Sequence, residues 1–386
     1  LLHEVRALLG PSVKLVYAAD WSEYAGYDAG EGNRYFHLDP LWSDPDLDAI
    51  GIDNYMPLSD WREGVDHADF RAGWRDIHDP AYLAANIAGG EGFDWYYPDA
   101  PERDAQARLA ITDDEGEPWI WRVKDLRAWW ENSHTERLNG VRAAEPTDWQ
   151  PRSKPVWFTE YGCAAIDKGA NQPNVFLDPK SSESRVPHYS TGARDDLMQM
   201  QYLRAMHGFW TDPANNPPSP VYGGPMVDWS RSHAWAWDAR PWPWFPANSD
   251  LWSDGANWLR GHWLTGRASG QPLAAVVAEI CQRAGVVAID VRGLYGVVRG
   301  YSAASTATGR AALQPLMLAY GFEAVERDGT LVFRMRDAQD AVALEPGLLV
   351  ADDKGDLEVV RASDPATVGR LKIGRASCRE RVCSVV

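Results

Sequence analysis

Four short apolar segments, each closing on polar side chains, constrain what this chain can fold into more than any other feature. Residues 13–18, 49–52, 156–159 and 233–237 are nearly continuous apolar runs rather than alternating ones, which suits strands covered on both faces. Behind them come Asp20-Trp21, Asp53-Asn54-Tyr55, Glu160-Tyr161 and Asp238. Strand followed by polar side chains, repeated along the chain, predicts a (β/α) barrel with its site at the C-terminal ends of the strands. Helical spacing fills the gaps unevenly, over 126–138 behind a capping Asp125 and over 194–210 with Leu197, Met200, Leu203, Ala205 and Met206. Residues 55–155, rich in Trp, lie between the second and third segments, so a large elaboration is expected there, placed to overhang the site.

The third segment carries the sharpest chemical signal. Lys154-Pro155 leads into Val156-Trp157-Phe158-Thr159, and the run ends on Glu160-Tyr161-Gly162. A carboxylate on a strand end is rigidly aimed, as a glycosidase nucleophile must be, and a nearby hydroxyl such as that of Tyr55 would donate to it and keep it ionised. Asp53 and Asn54 would orient Tyr55 or bond sugar hydroxyls. Trp235 and Trp237, two apart on one strand, face the same side, and Trp237 is the candidate platform under a sugar ring. Asp20, Trp21, Glu23 and Asp238 stand where loops ring a barrel mouth. Plainer readings exist for each: Glu160 paired with a rim Arg, Tyr55 buried with a satisfied hydroxyl, the two Trp side chains in the core, the loop acids merely solvated.

Composition removes several function classes. With 38 Lys and Arg against 55 Asp and Glu, the net charge of −17 argues against a nucleic-acid groove. The four Cys, at 163, 281, 378 and 383, make no disulfide framework. His37, His67, His78, His134, His188 and His207 lack ligand spacing, so no metal and no cofactor are expected. No apolar run approaches the roughly 20 residues that span a bilayer.

From about Gly270 the Trp content vanishes and a compact α+β pattern begins. It predicts helices over 272–284 and 310–320, short strands over 289–291 and 296–300, and a hairpin of 322–325 with 330–334 turning at Asp328-Gly329. Both ends look artificial. Residues 1–10 have helical spacing with no N-cap, as if entered partway, and residues 373–383 read as an in-frame sequencing adaptor. Two Cys four apart, Cys378 and Cys383, are then no metal site.

Residues 16–24, 50–61, 157–163 and 261–267 together resemble the gene-transfer-agent TIM-barrel-like domain joined to a phage tail protein, over residues 1 to about 371. That barrel is in turn similar to retaining glycoside hydrolases. The resemblance implies an α/β fold holding strands 5 to 8, the C-terminal half of a (β/α)8 TIM barrel, over 1–268. A smaller α+β phage-tail module over 269–371 and a non-native tail over 372–386 follow. It places the nucleophile at Glu160 on strand 7, an aromatic at Tyr55 on strand 6 and a Trp on strand 8, with the acid/base Glu on a strand before residue 1. Half a barrel leaves an open parallel edge, so this sequence alone is expected to fold poorly. The implied function is that of a tail-tip component, made in the bacterial cytoplasm and carried in the tail. Its implied partners are other baseplate proteins, further copies of itself, and cell-wall or surface glycan. The alternative is a tail hub protein that binds glycan without cutting it, or is purely structural.

Overall fold

The computed structural model describes residues 1–336 except 179, 183, 266–269 and 302–305. The adaptor-like tail, Cys378, Cys383, the module beyond 336 and Gly266-Arg267 lie outside the described residues. In chain order the first strands are β1 (Val16–Asp20), β2 (Tyr27–Gly30), β3 (Asn33–Tyr35), β4 (Ala49–Asn54), β5 (Trp95–Tyr96), β6 (Leu109–Ala110), β7 (Arg137–Leu138), β8 (Val141–Arg142) and β9 (Val156–Tyr161).

Three of the four expected strands form and pair in parallel, in the order β1-β4-β9. The central strand, β4, is buried nearly throughout, as its unbroken apolar run requires. Gly51 lets β1 approach it: a Cβ there would stand 2.4 Å from the Tyr17 carbonyl oxygen. By contrast β1 is mostly exposed, Val16 and Tyr17 included, so cover on both faces does not extend to it.

The fourth segment does not form a regular strand, and no closed barrel is present among the described residues. Isolated bridges tie β9 to the chain ahead of the segment and within it, Val156 to Val227 and Tyr161 to Ala234. Between them Asp228 accepts hydrogen bonds from the Ser230 amide (3.1 Å) and hydroxyl (2.6 Å), capping a 3-10 turn over Trp229–Arg231. That local bonding competes with the ladder and breaks it. Backbone bonds resume where His233 donates to the Phe158 carbonyl (2.9 Å) and Trp235 to that of Tyr161 (2.8 Å).

The long connection is ordered around its own aromatic residues. His134 stacks on Phe36 (4.4 Å) and Trp149 (5.3 Å) and places Nδ1 2.8 Å from Asp39 Oδ2. Arg108 ties Asp60 (2.9 Å) to Asp69 (2.8 Å), while Tyr97 and Tyr82 donate to those two carboxylates. An antiparallel sheet, β2-β3-β7-β8, is built from both sides of the connection. The expected helix over 126–138 is shorter, Leu126–Glu131, with Asp125 capping the Ala128 amide as anticipated. Pairing of Arg137 with Arg34 on β3 takes the following residues into a strand. The helix Asp196–Thr211 buries Met198, Tyr202, Ala205, Met206 and Trp210, one face at helical spacing, in the main core.

A second apolar cluster involves the elements from residue 271 onward, β10 (Gln271–Pro272), β11 (Ile289–Gly293), β12 (Val297–Val298), β13 (Phe322–Arg327) and β14 (Thr330–Met335). The helices Leu273–Arg283 and Gly309–Tyr320 and the β13–β14 hairpin match the expected pattern, with Asp328 and Gly329 at positive φ in the turn.

Candidate functional site

The β4–β9 register decides which side chains meet. Ile52 opposes Phe158, but Asp53 opposes Glu160, so Thr159 is an extra residue bulged out of the ladder. Side chains alternate along a strand, so this one-residue shift places Glu160 on the same face as Asp53. Asp53 in turn opposes Asp20 on β1. Three carboxylates thus stand side by side at the C-terminal ends of three adjacent parallel strands.

Tyr55, two residues beyond Asp53 and buried, donates its hydroxyl to Glu160 Oε2 at 2.7 Å. The bulged Thr159 donates to Asp53 Oδ1 at 2.7 Å. Burial raises the pKa of Glu160; the Tyr55 bond lowers it in part, and the charge of Asp53 raises it again. The net direction is upward: the Tyr55 hydroxyl bonds Glu160, and its lowering effect is smaller than the raising effect of burial. Asp53 is raised as well, first by burial and then by Asp20, against the pull of Thr159. Burial, then Glu160, pushes the Tyr55 hydroxyl far above its ordinary value.

The other predicted residues are placed as follows. Asn54 is buried and its Oδ1 accepts from the Met56 amide at 3.3 Å, so its carboxamide serves its own chain. The Asp20 carboxylate accepts from the Ser22 amide (2.8 Å) and hydroxyl (2.6 Å). Trp21 is half-buried against the core, its amide donating to the Asp53 carbonyl at 3.1 Å. Trp235 and Trp237 are 44% and 67% exposed, which removes the core explanation for both. Asp238 is held by Arg240, which also reaches Asp254, and that pairing lowers its pKa. Neither Thr159 as a bulge nor its bond to Asp53 carries any signature in the sequence pattern. The β-branched Thr reads only as a strand residue.

Among the described residues, His3, Asp44 and Asp46 bring ligand atoms within 4.8 Å of one another, but His3 Nδ1 lies 2.6 Å from Asp46, an ion pair rather than an open site. No helix among them is long and apolar enough to cross a membrane.

A family model for the gene transfer agent TIM-barrel-like domain matches residues 1–246. The chain belongs to that family. A phage tail protein family model matches residues 308–377 of this family member. Among solved structures it is similar to a chain of the virion of a native gene transfer agent particle, at 59% identity over 30% of this chain and 26% of that one, with a TM-score of 0.28. The gene-transfer-agent-type chain described here therefore spans about a quarter of the particle chain it matches. No curated protein matches it.

Proposed function

We propose that the chain is a tail component of a gene-transfer-agent particle, and that the C-terminal ends of β1, β4 and β9 form a glycan site of the retaining glycoside hydrolase type. The observation that carries the reading is the 2.7 Å bond from Tyr55 to Glu160, on a bulge that sets Glu160 beside Asp53. A strand-end carboxylate held by a tyrosine hydroxyl is aimed for attack on an anomeric carbon. In this reading Glu160 is the nucleophile and Tyr55 its positioning partner. Asp53, Asp20, Trp21 and Trp237 line the approach, while buried Asn54 holds the backbone beyond β4 through the Met56 amide. The second carboxyl comes from the upstream strand that the family pattern implies, β1, β4 and β9 serving as strands 5 to 7 of that barrel. Residues 1–268 form the barrel-like domain and 269–371 a tail-hub module that packs with baseplate proteins and further copies at the tail tip. The two family matches, 1–246 and 308–377, support that division of labour.

A second reading, glycan binding without cleavage, draws on the neighbouring acids. Asp53 Oδ1 accepts from Thr159 and Asp20 Oδ1 from Ser22, so both acids are already engaged on one oxygen by their own chain. Glu160→Gln in the full-length protein separates the two. It should leave particle assembly intact and reduce glycan release by at least about 10³-fold. Assembly with no cleavage in the wild type favours the binding reading.

A further inference from the structure

Beside the row of carboxylates lies a cavity of about 820 Å³, within the usual range of roughly 300–1,000 Å³ for small-molecule sites. Its walls come from the loop after β1 (Trp21, Glu23), the β2–β3 hairpin (Tyr27, Asp28, Arg34) and the long connection (Trp121). Pro57, two residues beyond Tyr55, also lines it, and Trp21 is bonded to Asp53, so the cavity abuts the acid row.

Arg34 gives this cavity its chemistry. It is 4% exposed, yet Nε and Nη2, the two groups on one edge of the guanidinium fork, have no hydrogen-bond partner. Gly26 keeps space for it: a Cβ there would stand 3.2 Å from Nε and 2.8 Å from the Tyr35 carbonyl oxygen. Leaving charged donors buried and unpaired is costly, and since Arg34 lines the cavity, a small shift of its side chain on ligand binding would give them an acceptor there. The acceptor is not an anion, because Glu23, Asp28 and Glu91 share the lining. Of these, Glu91 is neutralised by Arg103 (2.5 and 2.9 Å), whereas Asp28 stands opposite Arg34 in the β2–β3 register. A cationic ligand would suit the acids and leave the Arg34 fork unmet. A neutral ligand dense in hydroxyls satisfies donors and acceptors together, and the faces of Trp21, Tyr27 and Trp121 suit the C–H face of a sugar ring.

We infer that this cavity is a second subsite that binds a neutral oligosaccharide, holding a stretch of the glycan whose neighbouring residues reach Glu160. The inference rests on the glycan reading above and adds the charge class of the sugar and the residues that select it.

The test measures binding to the full chain by calorimetry and saturation-transfer NMR. The probes are the neutral trisaccharides chitotriose, cellotriose, maltotriose and mannotriose, with trigalacturonic acid as the anionic counterpart. At least one neutral trisaccharide should bind, trigalacturonic acid should not, and Arg34→Gln should weaken binding about tenfold or more. Because Arg34 is buried, Tyr27→Ala, on a side chain 59% exposed, serves as the second variant and should also weaken binding with its melting temperature unchanged. Absence of binding by every neutral probe, preference for trigalacturonic acid, or folded variants that bind like wild type would overturn the inference. Glycan release by Glu160→Gln reads the main site separately. Its loss alongside unaffected Arg34 and Tyr27 variants removes the subsite and leaves the proposed function standing.

Discussion

Thr159 has no register partner in the β4 ladder, and because strand side chains alternate, closing that bulge would turn Glu160 to the opposite face from Asp53 and Tyr55. The candidate site therefore depends on a register detail as much as on residue type. Glu160, Tyr55 and Asp53 were legible in the sequence because each follows a short apolar run that had to be a strand. The bulge was not, since nothing in a Val-Trp-Phe-Thr-Glu run distinguishes a paired Thr from an extra one. Arg34 was missed for a different reason: its burial depends on Gly26 and on connection residues that only the fold brings to it. The Tyr55 bond opposes the upward shift that burial imposes on Glu160. Tyr55→Phe should therefore raise the midpoint of the Glu160 carboxyl titration further, read by carbon NMR of the side-chain carboxyl. An unchanged midpoint would mean the hydroxyl does not act on the carboxylate in solution.

At the scale of elements, the sequence pattern located strands and capped helices well where local chemistry and tertiary packing agree. It failed where they conflict. The helix after Asp125 stops at Glu131 because His134 is drawn to Asp39 and Arg137 pairs with β3, contacts that no local propensity reports. Ahead of the fourth segment, the pairing with β9 begun at Val227 is interrupted because Asp228 bonds its own turn. Gly51→Ala would press a methyl into the β1 backbone. It should cost about 1–3 kcal/mol in urea unfolding, and a neutral result would mean that β1 is not docked there.

Another element-level test concerns the start of the helix Asp196–Thr211, where Asp195 caps the Met198 amide (3.0 Å) while lying 2.6 Å from His78 Nε2. Burial alone would lower the His78 pKa, but Asp195 and Asp76 together raise it to about 10 from 6.5. A raised histidine pKa stabilises the fold below 6.5, and that contribution is lost as pH rises from 6.5 through about 10. Lys124, which burial lowers to about 7, gives the opposite slope above that pH, so the comparison must be between variants. The stability gap between wild type and His78→Gln should be widest below pH 6.5 and shrink toward pH 10 in chemical denaturation. A gap constant across that range would remove the charged His78 from the account.

On the scale of the whole molecule, the chain joins a region matched to a gene transfer agent barrel-like domain with one matched to a phage tail protein. Two apolar clusters accompany that pairing, one around β4 and β9 and one around the β13–β14 hairpin. The change of composition near Gly270 is reflected in the clusters: the first contains several Trp, the second none. The half-barrel implied by the resemblance is not decided by the segments themselves, since barrel pairing is long-range and no local segment encodes it. In the proposed function the carboxylate at the end of β9 acts on glycan. Its most direct test is release of soluble reducing ends from purified cell-wall and capsular glycan by particles carrying wild-type protein or Glu160→Gln. Release by wild-type particles, lost by about 10³-fold or more in equally well assembled Glu160→Gln particles, is the expected result. Equal release by the two would contradict it.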